Sequence, residues 1–316
     1  MKGLLLQLII LAGGSLLLTL GANHFVEGAS RIALRAKVSQ LFIGITLVAL
    51  GTSLPEFFVS LTAALKGSPD ISIGNIVGSN ICNIGLILGT AALIKPVQNP
   101  KSVLKFEFPL LAVVSVLLYI FCLNLTIGRT EGAVYLLLLV LFITYYILKA
   151  KKCPFEEEVV PRENVPLPKA LFETVAGLAG LLVGSNLFID SASNIARMLG
   201  ISELVIGLSL VALGTSLPEL ASTLAAAVKG KSDIAVGNVI GSNLLNIAFI
   251  VGTVSLIKPI STKKEVLSFD IPFMLFITFL LFGIITLSKR TGRLAGAMLI
   301  SLYIAYITAL YTLGRV

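Results

Sequence analysis

"GTSLPE" occupies residues 51–56, and the same six letters return at 214–219. In both copies a glutamate follows a proline inside a long apolar stretch. Glu56 falls near the middle of residues 40–66, and Glu219 near the middle of 203–229. A charged side chain at the centre of a membrane helix costs about 2.5–3.5 kcal/mol on insertion scales. No Lys or Arg occurs in 38–65, 67–94, 198–228 or 232–257. The counter-charge for these carboxylates must then be a proton or a bound cation.

The duplication runs well beyond the hexapeptide. At an offset of 163 residues, 43–84 and 206–247 share 26 identities in 42 positions without a gap. KGSPDISIGNIVGSNICNI (66–84) answers KGKSDIAVGNVIGSNLLNI (229–247). GANHFVEGASRIA (21–33) pairs with GSNLFIDSASNIA (184–196), and LIKP recurs at 93–96 and 256–259. Two halves follow, 1–149 and 169–316. Residues 150–168, rich in charge and proline, form a linker expected to be cytoplasmic.

Composition places these halves in a bilayer. The 316 residues are 56% hydrophobic and only 13% charged, against about 25% charged in soluble domains. The mean hydropathy is +1.00. Each half reads as five spans: about 3–35, 40–66, 71–94, 104–124 and 130–149, then 169–198, 203–229, 234–257, 268–288 and 293–313. The counterpart of the first span lies in mid-chain, so residues 3–22 are read as a retained span rather than a cleaved signal. Five is odd, so the second half enters the membrane from the opposite side. The expected fold is all-α and polytopic: ten transmembrane helices in two inverted-topology repeats, with broken helices at the midplane. Sixteen of the 24 Lys and Arg fall on one side of this topology. That side is expected in the cytoplasm of a cell-membrane protein, leaving both termini outside.

The side chains around the glutamates narrow the chemistry. Thr52 and Ser53 precede Glu56 by four and three residues, as Thr215 and Ser216 precede Glu219, so each set is expected on its own glutamate's helical face. The third spans add Ser79 with Asn83, and Ser242 with Asn246, extended one turn by Asn75 and Asn238. Pro55 and Pro218 remove a backbone donor, and the carbonyls of Ala49 and Ala212 are candidate ligands. Glycines in GNIVGSN and GNVIGSN are read as a second break or a close helix contact. Such an oxygen-only set suits hard cations such as Ca²⁺ and alkali ions. The single histidine, His24, excludes an HExxH or His-cluster zinc site. Cys82, Cys122 and Cys153 lack metal spacing and read as buried apolar residues. Glu27 and Asp190 are expected in structural or gating roles, Glu107 and Asp270 at the interface, and Asp70 and Asp233 at the mouths between spans.

GTSLPE followed by GNxxGSxxxNI, twice, resembles the paired repeats of the sodium/calcium exchanger family, within the cation/Ca²⁺ antiporters. The resemblance covers the whole chain and points to a compact prokaryotic member. It implies that Glu56 and Glu219 are the main carboxylate ligands. Thr52, Ser53, Thr215, Ser216, Ser79, Asn83, Ser242, Asn246 and the Ala49 and Ala212 carbonyls would complete the site. It also implies gating by the first spans of each half, 3–35 and 169–198, sliding on small residues that include Gly13, Gly14, Gly177, Gly180 and Gly184. Some family members carry Asp at the position of Asn246, so this core holds two carboxylates rather than three.

The expected function is Na⁺/Ca²⁺ antiport by alternating access. Ca²⁺ and Na⁺ are transported ions and no cofactor is expected. The partners are these ions and the lipid bilayer, not nucleic acid. One chain contains a complete site, so a monomer is expected to function. A proton-coupled Ca²⁺ antiporter of the same fold is the alternative, although the related proton-coupled families tend to read GNxxE where this chain reads GN followed by GSN. An intramembrane enzyme is disfavoured, because two glutamates without His, an Asp dyad or a Ser–base pair make a poor catalytic set. A channel would not require inverted repeats.

Overall fold

The computed structural model describes residues 2–36, 38–152, 166–200 and 212–312. Most of the linker, Cys153 and the first third of the span expected at 203–229 lie outside the described residues. The architecture is helical. Among the described residues, seven helices are long and apolar enough to cross a membrane, and a bent pair would make an eighth. In chain order the elements are α1 (Lys2–Ala36), the bent pair α2 (Gln40–Thr52) and α3 (Leu54–Leu65), α4 (Pro69–Ile94), α5 (Glu107–Phe121) and α6 (Arg129–Lys152). After them come α7 (Leu167–Met198), the described residues of α8 (Ala212–Gly214), α9 (Leu217–Val228), α10 (Ser232–Ile257), α11 (Val266–Leu287) and α12 (Arg293–Thr312). The chain is an integral membrane protein.

Helix punctuation is written twice. α2 and α3 meet at an angle of 48°. The hinge is Ser53 (φ −83°, ψ 7°), and Ser216 adopts nearly the same conformation (φ −89°, ψ 4°) between α8 and α9. Pro55 and Pro218 sit in the first turn of the following helix, where a missing N–H is tolerated. α3 and α9 both stop at Lys-Gly. Gly67 and Gly230 take φ of +81° and +76°. Their N–H groups reach Ala64 and Ala227, and the next residues, Ser68 and Lys231, reach back to Ala63 and Ala226. This is a Schellman closure, which needs the left-handed residue that glycine supplies.

The halves are sewn together reciprocally. Strand β1 (Val97–Gln98) pairs with β4 (Arg290–Thr291), and β2 (Thr126–Ile127) pairs with β3 (Ile260–Ser261). The repeated LIKP lysines cross over as well. Lys95 Nζ donates to the Val228 carbonyl at the end of α9, and Lys258 Nζ donates to the Leu65 carbonyl at the end of α3. Each lysine thus caps the negative end of the other half's helix.

Two expectations gain detail. Glu107, read as interfacial, lies in the first turn of α5 at 2% exposure, where the positive end of the helix dipole favours a carboxylate. The glycines assigned to a sliding contact mostly join α1 to α7 directly. Gly14 abuts Gly184 and Phe188, Gly21 abuts Gly177 and Gly180, and Gly28 abuts Thr174 and Ala170, while a Cβ on Gly13 would meet no neighbouring element within 4 Å. Close backbone approach through small residues is a common way to pack membrane helices.

Candidate functional site

α4 and α10 form the centre of the molecule, and more than three-quarters of their apolar stretches lie inside the protein, 78% and 94%. Their oxygen-bearing residues face the two hinges. Glu56 and Glu219 stand in the first turns of α3 and α9, just past the breaks, and are 1% and 2% exposed. Each therefore meets a helix N-terminus, whose unpaired N–H groups and dipole favour negative charge.

The pairing is crossed. Ser53 Oγ donates to Glu219 Oε1 at 3.1 Å, and Ser216 Oγ donates to Glu56 Oε1 at 3.1 Å. The sequence reading put each serine with the glutamate three residues on. That spacing holds along an unbroken helix, but the chain breaks at the serine and turns its hydroxyl to the other half. The second carboxylate oxygens, Glu56 Oε2 and Glu219 Oε2, are buried without a hydrogen-bond partner. So are Asn83 Oδ1, Asn246 Oδ1 and Ser242 Oγ. Ser79 is buried on the matching turn of α4. A buried polar oxygen without a donor is costly, and several together mark a place prepared for something positive.

The hinges are braced from the central helices. Asn75 Nδ2 donates to the Glu56 carbonyl (3.2 Å) and Ser60 Oγ (2.9 Å). Asn238 Nδ2 reaches the Glu219 carbonyl (3.4 Å), Ser222 Oγ (3.1 Å) and Thr223 Oγ1 (2.8 Å). Thr52 Oγ1 lies 3.3 Å from Asn238 Oδ1 and 3.1 Å from the Val48 carbonyl, so it too turns to the opposite half. Thr215 stays half-buried beside Ser216. The Ala49 carbonyl accepts the Ser53 N–H at 2.9 Å and lies 3.3 Å from Thr52 Oγ1. Ala212 is the first described residue of α8. Pro218 leaves the Gly214 carbonyl without its helical donor, and Ser185 Oγ of α7 donates to it at 3.1 Å.

In α4 and α10 the GNxxGSN glycines do not break the helix. Both helices continue through a π-helical turn, Asn83–Leu88 and Asn246–Val251. Gly237 and Gly241 instead admit α2: a Cβ at Gly241 would lie 2.5 Å from Ile45 Cα. π-turns often accompany functional sites, and here each one begins at the asparagine carrying the unpartnered oxygen.

The outlying acids stand apart from this centre. Glu27 forms ion pairs with Lys229 (3.0 Å) and Lys231 (2.8 Å), and Asp70 with Lys263 (3.1 Å). Arg31 of α1 pairs with Glu173 of α7. Asp190, the repeat counterpart of Glu27, is exposed. Among the described residues no group of three or more His, Cys, Asp or Glu comes together. The central site thus offers two carboxylates with hydroxyl, amide and carbonyl oxygens. Cys82 and Cys122 are buried free thiols, as expected. The sequence reading passed over Asn80 and Asn243, which contact Asn246 and Asn83 (3.0 and 2.9 Å). Their only signal was their place in GSN in both copies.

Comparison with known proteins bears on the chain as a whole. The model of the sodium/calcium exchanger protein family matches residues 6–148 and 169–312. The chain is 39% identical over 312 residues to a putative antiporter, CaxA, of Alkalimonas amylolytica, covering 96% of this chain and 98% of that one. It is 34% identical over 345 residues to the sodium/calcium exchanger MaX1 of Methanosarcina acetivorans, covering 96% and 98%. The solved structure of the sodium-calcium exchanger NCX_Mj soaked with zero Na⁺ and Ca²⁺ superposes with a TM-score of 0.85 at 35% identity, covering 97% of this chain and 99% of that one.

Proposed function

Since the chain belongs to the sodium/calcium exchanger family, and so to the cation/Ca²⁺ antiporters, we propose that it exchanges Na⁺ for Ca²⁺ at the crossed glutamate site. The observation that carries this is the buried pair Glu56 and Glu219, each hydrogen-bonded by the other half's serine and each keeping one oxygen without a donor. Two carboxylates match the charge of one Ca²⁺, and the surrounding neutral oxygens suit its large, flexible shell. The ligands are Glu56, Glu219, Thr52, Ser53, Thr215, Ser216, Ser79, Asn83, Ser242, Asn246 and the Ala49 and Ala212 carbonyls. Na⁺ competes for the same oxygens, so the site moves one cargo or the other and antiport follows.

The fold on this reading is ten transmembrane helices in two inverted five-helix halves. The shorter apolar helices α5 and α9 and the bent pair α2–α3 join the seven long helices in that count. Reciprocal strand pairing, lysine caps and serine–glutamate bonds support a pseudo-two-fold axis between the halves. The site lies where the halves meet, near the midplane. α1 and α7 are the gate, and their glycine seam favours movement as a pair. One chain suffices, in the cell membrane with both termini outside. No step needs a cofactor or catalytic chemistry.

The test is ⁴⁵Ca²⁺ uptake into proteoliposomes loaded with Na⁺, with K⁺-loaded vesicles and a proton gradient as controls. Uptake that requires internal Na⁺ is expected, and it should vanish in the double variant Glu56→Gln, Glu219→Gln. Uptake driven by the proton gradient alone would make the glutamates proton carriers and refute Na⁺ coupling.

A further inference from the structure

We propose that Asn80 and Asn243 are positioning residues that decide which face of Asn83 and Asn246 meets the cation. The inference rests on Asn83 and Asn246 being cation ligands. An asparagine amide has an acceptor oxygen on one side and a donor NH₂ on the other. Turned the wrong way, it presents hydrogens to a cation and its ligand oxygen is lost. A carboxylate has no wrong face, so this problem belongs to a site that uses asparagine at both positions.

The hydrogen bonds answer it, and their order is fixed from the main chain outward. Asn243 Nδ2 donates to the Asn80 backbone carbonyl at 3.2 Å. A carbonyl accepts only a donor, so Asn243 Oδ1 must lie on the opposite side. There it receives Asn83 Nδ2 at 2.9 Å. Asn83 Oδ1 is thereby turned away, and it is buried without a partner. The mirror chain repeats every step. Asn80 Nδ2 donates to the Asn243 carbonyl (3.4 Å) and approaches Met274 Sδ (3.6 Å). Asn80 Oδ1 receives Asn246 Nδ2 at 3.0 Å, and Asn246 Oδ1 is left buried and unpartnered.

All four asparagines are 1% exposed, so no water competes for these contacts. Each half therefore sets the amide of the other half's ligand, as each half's serine holds the other half's glutamate. The π-helical turns starting at Asn83 and Asn246 turn these side chains relative to a regular α-helix. With Asn83 and Asn246 held by their NH₂ groups, both oxygens stay ready before an ion arrives, and no amide has to rotate during exchange.

The experiment measures Na⁺-dependent ⁴⁵Ca²⁺ exchange for the parent, Asn83→Ala, Asn243→Ala, the double alanine variant, and Asn243→Ala combined with Asn83→Asp. Asn243→Ala is expected to raise the Ca²⁺ KM about tenfold, the worth of one well-made hydrogen bond, with the maximal rate nearly unchanged. On Asn83→Ala it should add almost nothing, because both changes remove one ligand oxygen. Asn83→Asp should restore the KM of Asn243→Ala, since either carboxylate oxygen can ligate. A purely structural role for Asn243 would give additive losses without that rescue. Asn80→Ala, read through Asn246, repeats the test if Asn243→Ala does not fold. A parental KM in Asn83→Ala would overturn the ligand reading and this inference with it. A defective Asn83→Ala beside a parental Asn243→Ala, or full additivity, would overturn this inference alone.

Discussion

Gly21→Ala tests how the two long helices meet, and its cost follows from the contact distances. A Cβ on Gly21 would stand 2.5 Å from Leu181 N, 2.7 Å from Gly180 C and 2.9 Å from Gly177 O. Ordinary contact begins near 3.4 Å, so α1 and α7 must part by 0.9 Å, the difference from the 2.5 Å approach. Every obstacle is backbone, so no side chain can swing aside. Overpacking of this kind costs about 1–3 kcal/mol. At roughly 2 °C per kcal/mol for a chain of this size, the melting temperature should fall by about 2–6 °C. Gly13→Ala is the matched control on the same helix. A Cβ on Gly13 would meet no neighbouring element within 4 Å, and Ala gains about 0.5–1 kcal/mol over Gly in a helix interior, so that variant should melt slightly higher. The protein has no tryptophan, so the assay is circular dichroism or survival on size exclusion after heating, in ion-free detergent buffer. A Gly21→Ala protein that melted at or above Gly13→Ala would refute the seam.

Three further outcomes are expected. Asn238→Leu should destabilise the ion-free protein by about 1–3 kcal/mol and more than Asn75→Leu, because Asn238 is fully buried and its Nδ2 reaches three acceptors rather than two; paired melting curves decide it, and equal losses would count against the bracing role. The crossed serines predict that Ser53→Ala couples by about 0.5–3 kcal/mol to Glu219→Gln and not to Glu56→Gln in a double-mutant cycle of ion-free thermal stability; coupling to Glu56 instead would restore the same-helix pairing. Burial lowers the Lys231 amine below its ordinary pKa, and Glu27 opposes that shift. Glu27→Gln should therefore lower it further, enlarge the neutral amine fraction at a fixed alkaline pH, and speed reductive methylation of Lys231 measured by mass spectrometry; an unchanged rate would deny the ion pair.

The centre of the site was legible in the sequence because its signal is local and doubled. A glutamate, a proline and two hydroxyls within six residues, repeated at a fixed offset, announce a broken helix with a buried charge. The Lys-Gly stops of α3 and α9 carry a local signal too, since only glycine takes their positive φ easily, but the sequence reading did not use it. The crossing was not legible. Spacing of three or four residues predicts neighbours along one helix, but at Ser53 and Ser216 the helix ends, and the hydroxyl's real partner lies 160 or more residues away. The same limit hid Asn80 and Asn243, whose partners are backbone carbonyls and amides of the opposite half. It also hid the true use of the α1 and α7 glycines, which face each other. These misses share one physical cause. A repeat tells which residues are equivalent, and the pseudo-two-fold axis proposed between the halves would place equivalents face to face. Given that axis, any small or polar residue near it meets its own counterpart's neighbours: serine meets glutamate, asparagine meets asparagine, and glycine meets glycine. The unpartnered oxygens of Glu56, Glu219, Asn83, Asn246 and Ser242 collect at this meeting of the halves. A cation bound there would draw ligands from both halves at once, so its arrival or departure bears on their relative position, which is the physical link that exchange requires.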